Sequence, residues 1–153
     1  MRAIKPLARY AEHKQMAHTI GDETKVVRAV APTAGSAGTM TAVEVDANGY
    51  DRCRFIINVG AATNTGTLDA YVQSATASGG SFANTTSAAL TQIADTGGNT
   101  VHAIDIPVNS ARPYLKLIIV TTTAAVANSA VAELYRGTRK QNVTTAFTQE
   151  VVL

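Results

Sequence analysis

Between Tyr50 and Gln73 the chain alternates apolar and polar residues in a way that a helix cannot use. Cys53, Phe55, Ile57 and Val59 share one parity, with Arg54 and Asn58 on the other. After the turn-forming linker Gly60-Ala-Ala-Thr-Asn-Thr-Gly66, Leu68, Ala70 and Val72 share one parity against Thr67, Asp69, Tyr71 and Gln73. Side chains alternate across a strand, so each half presents one apolar face. Two such runs joined by a short loop predict an antiparallel hairpin with one face in water.

The rest of the chain follows the same plan. Lys25 to Ala31 reads as a strand, Pro32 to Gly38 as a loop, and Thr39 to Asp46 as a second strand. Asn48-Gly49 is a strong turn signal. Ser74 to Ser87 is a Gly-, Ser- and Thr-rich loop, with Phe82 as a plug pinning it to the body. Ala88 to Ala94 is a weaker strand, and Asp95-Thr-Gly-Gly-Asn99 is a turn. Thr100 to Ile106 changes its apolar parity between Val101 and Ile104, which predicts a bulge or burial on both sides. Pro107 ends that strand. The apolar run within Pro113 to Thr122 predicts a central strand covered on both faces. Val126 to Tyr135 is the last strand.

About eight strands with short turns and no long helix predict an all-β fold, an antiparallel β-sandwich or jelly roll. Residues 24–137 form its body, and extended arms flank it at 1–23 and 138–153. In the first arm, Ile4, Leu7, Ala8 and Ala11 have helical spacing for about two turns, too little for an isolated helix. The arm is expected to order only against another surface, and it reaches on the order of 70 Å when extended.

Charge follows that division. Residues 1–28 hold six basic and three acidic side chains, residues 29–132 four and six, and residues 133–153 three and two. A mildly acidic body therefore carries basic ends, suited to an acidic partner but too weakly charged for direct nucleic-acid binding. Cys53 is the only cysteine, which excludes an internal disulfide and a thiolate metal cluster; it reads as a small core hydrophobe. No apolar run resembles a signal peptide or a membrane span, so folding in a reducing cytoplasm is expected.

The candidate chemistry is sparse. His13 and His18 lack the spacing of a helical metal pair, and His102 stands alone on a strand, so no metal or other cofactor is expected. Glu44, Asp46, Asp51, Asp69, Asp95 and Asp105 are scattered and read as polar-face or turn residues rather than a catalytic pair. No Gly-x-Ser-x-Gly elbow and no phosphate loop occurs, so the chain is not expected to be an enzyme. The basic residues Arg2, Lys5, Arg9 and Lys14, with Tyr10, in one arm, and Arg136, Arg139 and Lys140 after the last strand, are the candidate partner-binding set.

Three stretches carry a family resemblance: Val45-Asp-Ala-Asn-Gly-Tyr-Asp-Arg-Cys-Arg-Phe-Ile-Ile-Asn-Val-Gly60, Leu68-Asp-Ala-Tyr-Val-Gln73, and Ser110-Ala-Arg-Pro-Tyr-Leu-Lys-Leu-Ile-Ile-Val120. With the Ala-rich last strand and Arg136-Gly137 after it, the body resembles the small jelly-roll decoration, or cement, proteins of tailed-bacteriophage heads. The resemblance covers roughly residues 43–137. It implies a structural virion protein, made in the host cytoplasm, that binds the outer surface of the shell and holds neighbouring capsomers against internal DNA pressure. The implied partners are the major capsid protein and sister copies, as a dimer or trimer, with no nucleic acid and no membrane. The long first arm has no counterpart in that family. A tail or baseplate structural protein and a carbohydrate-binding sandwich are the alternatives.

Overall fold

The computed structural model describes residues 24–34, 36–40, 42–62, 65–94, 98–136 and 148–153. The first arm, with its helical hint, lies outside them, as do Gly137 and residues 138–147 of the tail. Ten strands and no helix are found among the described residues. They are β1 (Thr24–Thr33), β2 (Gly38–Thr39), β3 (Val45–Asp46), β4 (Arg52–Ala62), β5 (Thr67–Ala75), β6 (Ala83–Ala89), β7 (Thr100–Pro107), β8 (Tyr114–Thr122), β9 (Val126–Tyr135) and β10 (Gln149–Val152).

One sheet has the order β1-β9-β4-β7-β10 and the other β2-β8-β5-β6, with β3 also paired to β8. Because β2 and β3 both lie along β8, they act as two halves of one strand. The remaining order is then that of an eight-stranded jelly roll, with β10 added at the β7 edge. All pairings are antiparallel except β10 with β7.

The hairpin expected over Tyr50–Gln73 does not form. β4 pairs with β7 and β9, whereas β5 pairs with β8 and β6 in the opposite sheet. The alternation is as read, but the two apolar faces meet across the sandwich instead of lying side by side. Each strand therefore buries its apolar parity against the other sheet, which two strands alone in one sheet could not do. The true hairpin is β5–β6, held by register pairs such as Gln73↔Asn84 and by Gln73 Nε2 donating to Asn84 Oδ1 at 2.9 Å.

Three other strand expectations change. The Ser74–Ser87 loop contains most of β6, because a Thr- and Asn-rich edge strand lacks the apolar signal of a core strand. The strand expected over Ala88–Ala94 survives as an isolated bridge between Leu68 and Ile93 and a hydrogen bond from Leu90 N to Ala70 O. The strand expected over Thr39–Asp46 is broken into β2 and β3. Between them Val43 N donates to Ala29 O and Ala42 bridges Val30, so this segment leaves one sheet to touch the other.

Other expectations hold. β7 is buried on both faces from His102 to Ile106, and its register with β4 runs without a bulge. Asn48-Gly49 forms the expected turn, with Gly49 at φ +81° and Asp46 Oδ1 accepting from Asn48 N at 3.0 Å. The expectation for β8 holds only in part: it is central in its sheet, but it is not covered on both faces, since Leu115, Leu117 and Ile119 are buried while Lys116, Ile118 and Val120 on the outer face are half-buried. Cys53 lies in the core, and burial pushes its thiol well above the ordinary range.

The inter-sheet core is built from Phe55, Ile57, Leu68, Ile104, Ile106, Leu117, Ile119 and Leu134, all essentially inaccessible to water. Each such side chain stabilises the fold by about 1.5–3 kcal/mol before entropy is counted. His102 shares the core face, in register with Ile57. Its Nε2 lies 2.7 Å from Thr100 Oγ1, its Nδ1 has no partner, and burial holds its pKa below the ordinary value.

Candidate functional site

The polar parity of β4 carries Arg52 and Arg54 to the outer face of the first sheet, where exposure would be expected. Both are buried. In register with them stand Asp105 on β7 and Tyr135 on β9, also buried. Arg52 Nε donates to Asp105 Oδ1 at 3.0 Å and to the Tyr135 hydroxyl at 3.1 Å. Arg54 Nη2 donates to Asp105 Oδ2 at 3.0 Å, and the Tyr135 hydroxyl donates to the same oxygen at 2.6 Å. Glu150, from β10, approaches Arg54 Nη2 at 3.6 Å. Burial, and then the hydrogen bond to Asp105, push the Tyr135 hydroxyl up to about 12.

Asp105 is therefore not the polar-face residue expected from the scatter of acids. It is fully buried and satisfied by three donors, and it ties β4, β7 and β9 together. Arg52-x-Arg54 set among core residues and a lone aspartate inside Val101-His-Ala-Ile-Asp-Ile-Pro107 were the available signals. Only strand register brings them opposite each other.

At the adjoining end of the roll, the β3–β4 and β7–β8 loops enclose a cleft of about 450 Å³, with Tyr50, Arg52, Pro107, Val108 and Pro113 in its walls. The loops are fixed to each other by backbone bonds, Ala47 N to Pro113 O at 3.0 Å and Val108 N to Asp51 O at 2.9 Å. Arg136 reaches this tip. It is exposed, its Nε donates to Gly49 O at 3.1 Å, and its guanidinium stands 5.7 Å from the centre of the Tyr50 ring. Of the partner-binding set, Arg136 is the member that the described residues contain. Arg2, Lys5, Arg9, Tyr10, Lys14, Arg139 and Lys140 lie outside them.

The outer face of the second sheet is different again. Tyr71, Gln73, Tyr114, Lys116, Ile118 and Val120 are half-buried there. Lys116 Nζ sits 4.0 Å from the centre of the Phe82 ring, so Phe82 does pin the 76–82 loop, by a cation–π contact rather than by core burial. Glu44 holds the same loop from the other side, accepting from Ser78 Oγ at 2.6 Å and from Gly79 N at 3.0 Å. Those two bonds, Ser78 first, hold the Glu44 carboxyl below its ordinary pKa.

Among the described residues no three His, Cys, Asp or Glu side chains gather as a metal site, and no helix is long and apolar enough to cross a membrane. Comparison of the chain with protein-family models, with curated proteins and with solved structures returned no match.

Proposed function

We propose that this chain is a structural virion protein that binds the outer surface of a phage capsid and braces neighbouring capsomers. The observation that carries the reading is the jelly roll itself, built around the segments that resemble the decoration proteins. Val45–Gly60 supplies β3, the Gly49-Tyr50-Asp51 tip and most of β4; Leu68–Gln73 lies within β5; and Ser110–Val120 supplies most of β8. The buried arginines and Asp105 support it, because their hydrogen bonds to one another tie three strands together and stiffen the sheet. Many repeated modest contacts on an icosahedral surface add up through multivalency. The basic arm residues Arg2, Lys5, Arg9 and Lys14 and the tip residue Arg136 are the proposed contacts with the shell or with a sister copy.

A density gradient of infected-cell lysate tests this. Co-migration with DNA-filled heads, in copy numbers near those of the major shell protein, is the expected outcome. Migration with tails at a few copies, or retention at the top, would overturn it. Deleting residues 1–20 should leave a folded body with weaker particle occupancy, and unchanged occupancy would remove the arm from the contact. A glycan-binding reading is favoured by one observation, the half-exposed Tyr71 and Tyr114 on the outer face of the second sheet. Binding on a glycan array that Tyr71→Ala abolishes would establish it.

A further inference from the structure

β10 has features that separate it from every other strand. It is four residues long, parallel and at an edge, and it pairs with β7 alone. The eight-stranded roll is complete without it. Parallel pairing is slightly less stable per residue than antiparallel pairing.

The seat that receives it is nevertheless specific. Thr148 N donates to Val101 O at 2.7 Å and Leu153 N to Asp105 O at 3.0 Å, extending the ladder at both ends. Arg52 Nη2 donates to Leu153 O at 2.9 Å, and Arg54 faces Glu150. Val151 and Leu153 pack against the core. The β7 edge is thus a receptor for an extended segment carrying an acid at one position and apolar residues beside it.

The occupant is not locked in. The Glu150 carboxylate is buried, yet neither oxygen accepts a hydrogen bond from a described residue. A buried charge with only an ion pair at 3.6 Å recovers its hydration when the strand leaves, which lowers the cost of release.

Chain length completes the argument. Tyr135 is level with Arg52 and Pro107, whereas Gln149 is level with His102. The return is about 17 Å along the strands and about 14 Å across them, roughly 22 Å in a straight line. The chain from Arg136 to Thr148 reaches on the order of 40 Å when extended. The chain length between Arg136 and Thr148 therefore exceeds that distance.

We infer that the β7 edge is an exchangeable strand receptor, and that its second occupant is residues 148–153 of another copy of this chain. Every contact made within one chain is reproduced between two, so exchange loses none of them. The balance is set by concentration. A chain's own strand is presented to the edge at an effective concentration of about 1 mM, so exchange prevails where copies are packed more closely than that. The inference holds whether or not the chain decorates a capsid.

The test uses the full chain and the pair Thr148 and Val101, which meet through a backbone hydrogen bond. Val101→Cys and Thr148→Cys single variants are refolded together at about 1 mM and at about 10 µM, then oxidised and run without reductant; a double variant is treated alike. A mixed covalent dimer at the higher concentration is expected, falling about a hundredfold relative to within-chain closure at the lower. Within-chain closure of the double variant with no mixed dimer at either concentration would overturn the inference. Closure in neither form would remove the strand from the edge and overturn it as well. A gradient that fails to place the chain on heads would leave this result untouched.

Discussion

The outer faces of the two sheets start from the same sequence pattern and end in opposite states. On β4 and on β5, polar residues alternate with apolar ones in the same way. On the first sheet, the polar parity buries Arg52, Arg54, Asp105 and Tyr135 in one network. On the second, Asp69, Gln73 and Lys116 remain in contact with water: Gln92 Nε2 donates to Asp69 Oδ2 at 3.0 Å, Gln73 Nε2 donates to Asn84 Oδ1 at 2.9 Å, and Lys116 lies over the Phe82 ring. Alternation reports which face a side chain is on; it does not report what lies over that face. The first face stiffens the roll, and the second is an open surface.

Removing one carboxylate from each face separates the two faces most strongly. Asp105→Ala leaves two buried guanidiniums without their partner, and such a loss costs about 3–5 kcal/mol. Asp69→Ala on the open face should stay within about 0.5 kcal/mol. Urea unfolding of both variants measures the difference, and equal costs would mean that the first face is wetter than its burial indicates.

Tyr135→Phe is expected to be the next largest effect. It removes a hydrogen bond donated to a carboxylate, worth about 1.5–3 kcal/mol. Burial, and then the hydrogen bond to Asp105, push the folded hydroxyl from its ordinary 10.0 up to about 12. The folded state therefore holds that proton more tightly than the unfolded state. The associated stability is present below about pH 10 and is lost as pH rises through about 12. Tyr135→Phe should flatten the loss of stability over that alkaline window, read by urea midpoints at successive pH values.

His102 sharpens the contrast from the core side. Its folded pKa lies below the ordinary 6.5, so the unfolded chain takes up the proton first. Its contribution is present above about pH 6.5 and is lost as pH falls below that value. The difference in stability between the parent and His102→Leu should change with pH below about 6.5 and stay level above it. A constant difference would show that His102 takes up its proton equally in the folded and unfolded states, so that burial does not lower its pKa.

The smallest effect belongs to the exposed loop clamp. Ser78→Ala should raise the Glu44 pKa towards its ordinary value of 4.5, observed by carboxyl NMR, with no measurable change in global stability. In the parent, the clamp is made above the ordinary carboxylate range and opens as pH falls through the lowered Glu44 value. The 76–80 amides should then exchange faster at acid pH, while the β4 amides do not.

The class of fold, most of the strands and the core parity of β4 and β5 are legible in the residue pattern alone. Cys53, Phe55, Ile57, Leu68, Ala70 and Val72 are buried because a period-two pattern permits only one face to leave water, whereas the continuous apolar run of β8 hid its parity. The Asn48-Gly49 turn and the end of β7 at Pro107 are legible there too, as local matters of backbone freedom. Which strands are neighbours follows from the packing of the whole chain. β4 and β5 look like a hairpin because adjacent alternating runs usually pair, yet their apolar faces are satisfied equally well across a sandwich. Only the whole set of strands selects between the two. Tertiary structure alone also made a network of Arg52, Arg54, Asp105, Tyr135 and Glu150. Their separations in sequence reach 98 residues, and no local preference specifies that two arginines on one strand will find an acid on another. Register, a cooperative property of all five strands of that sheet, converts scattered charges into one buried group.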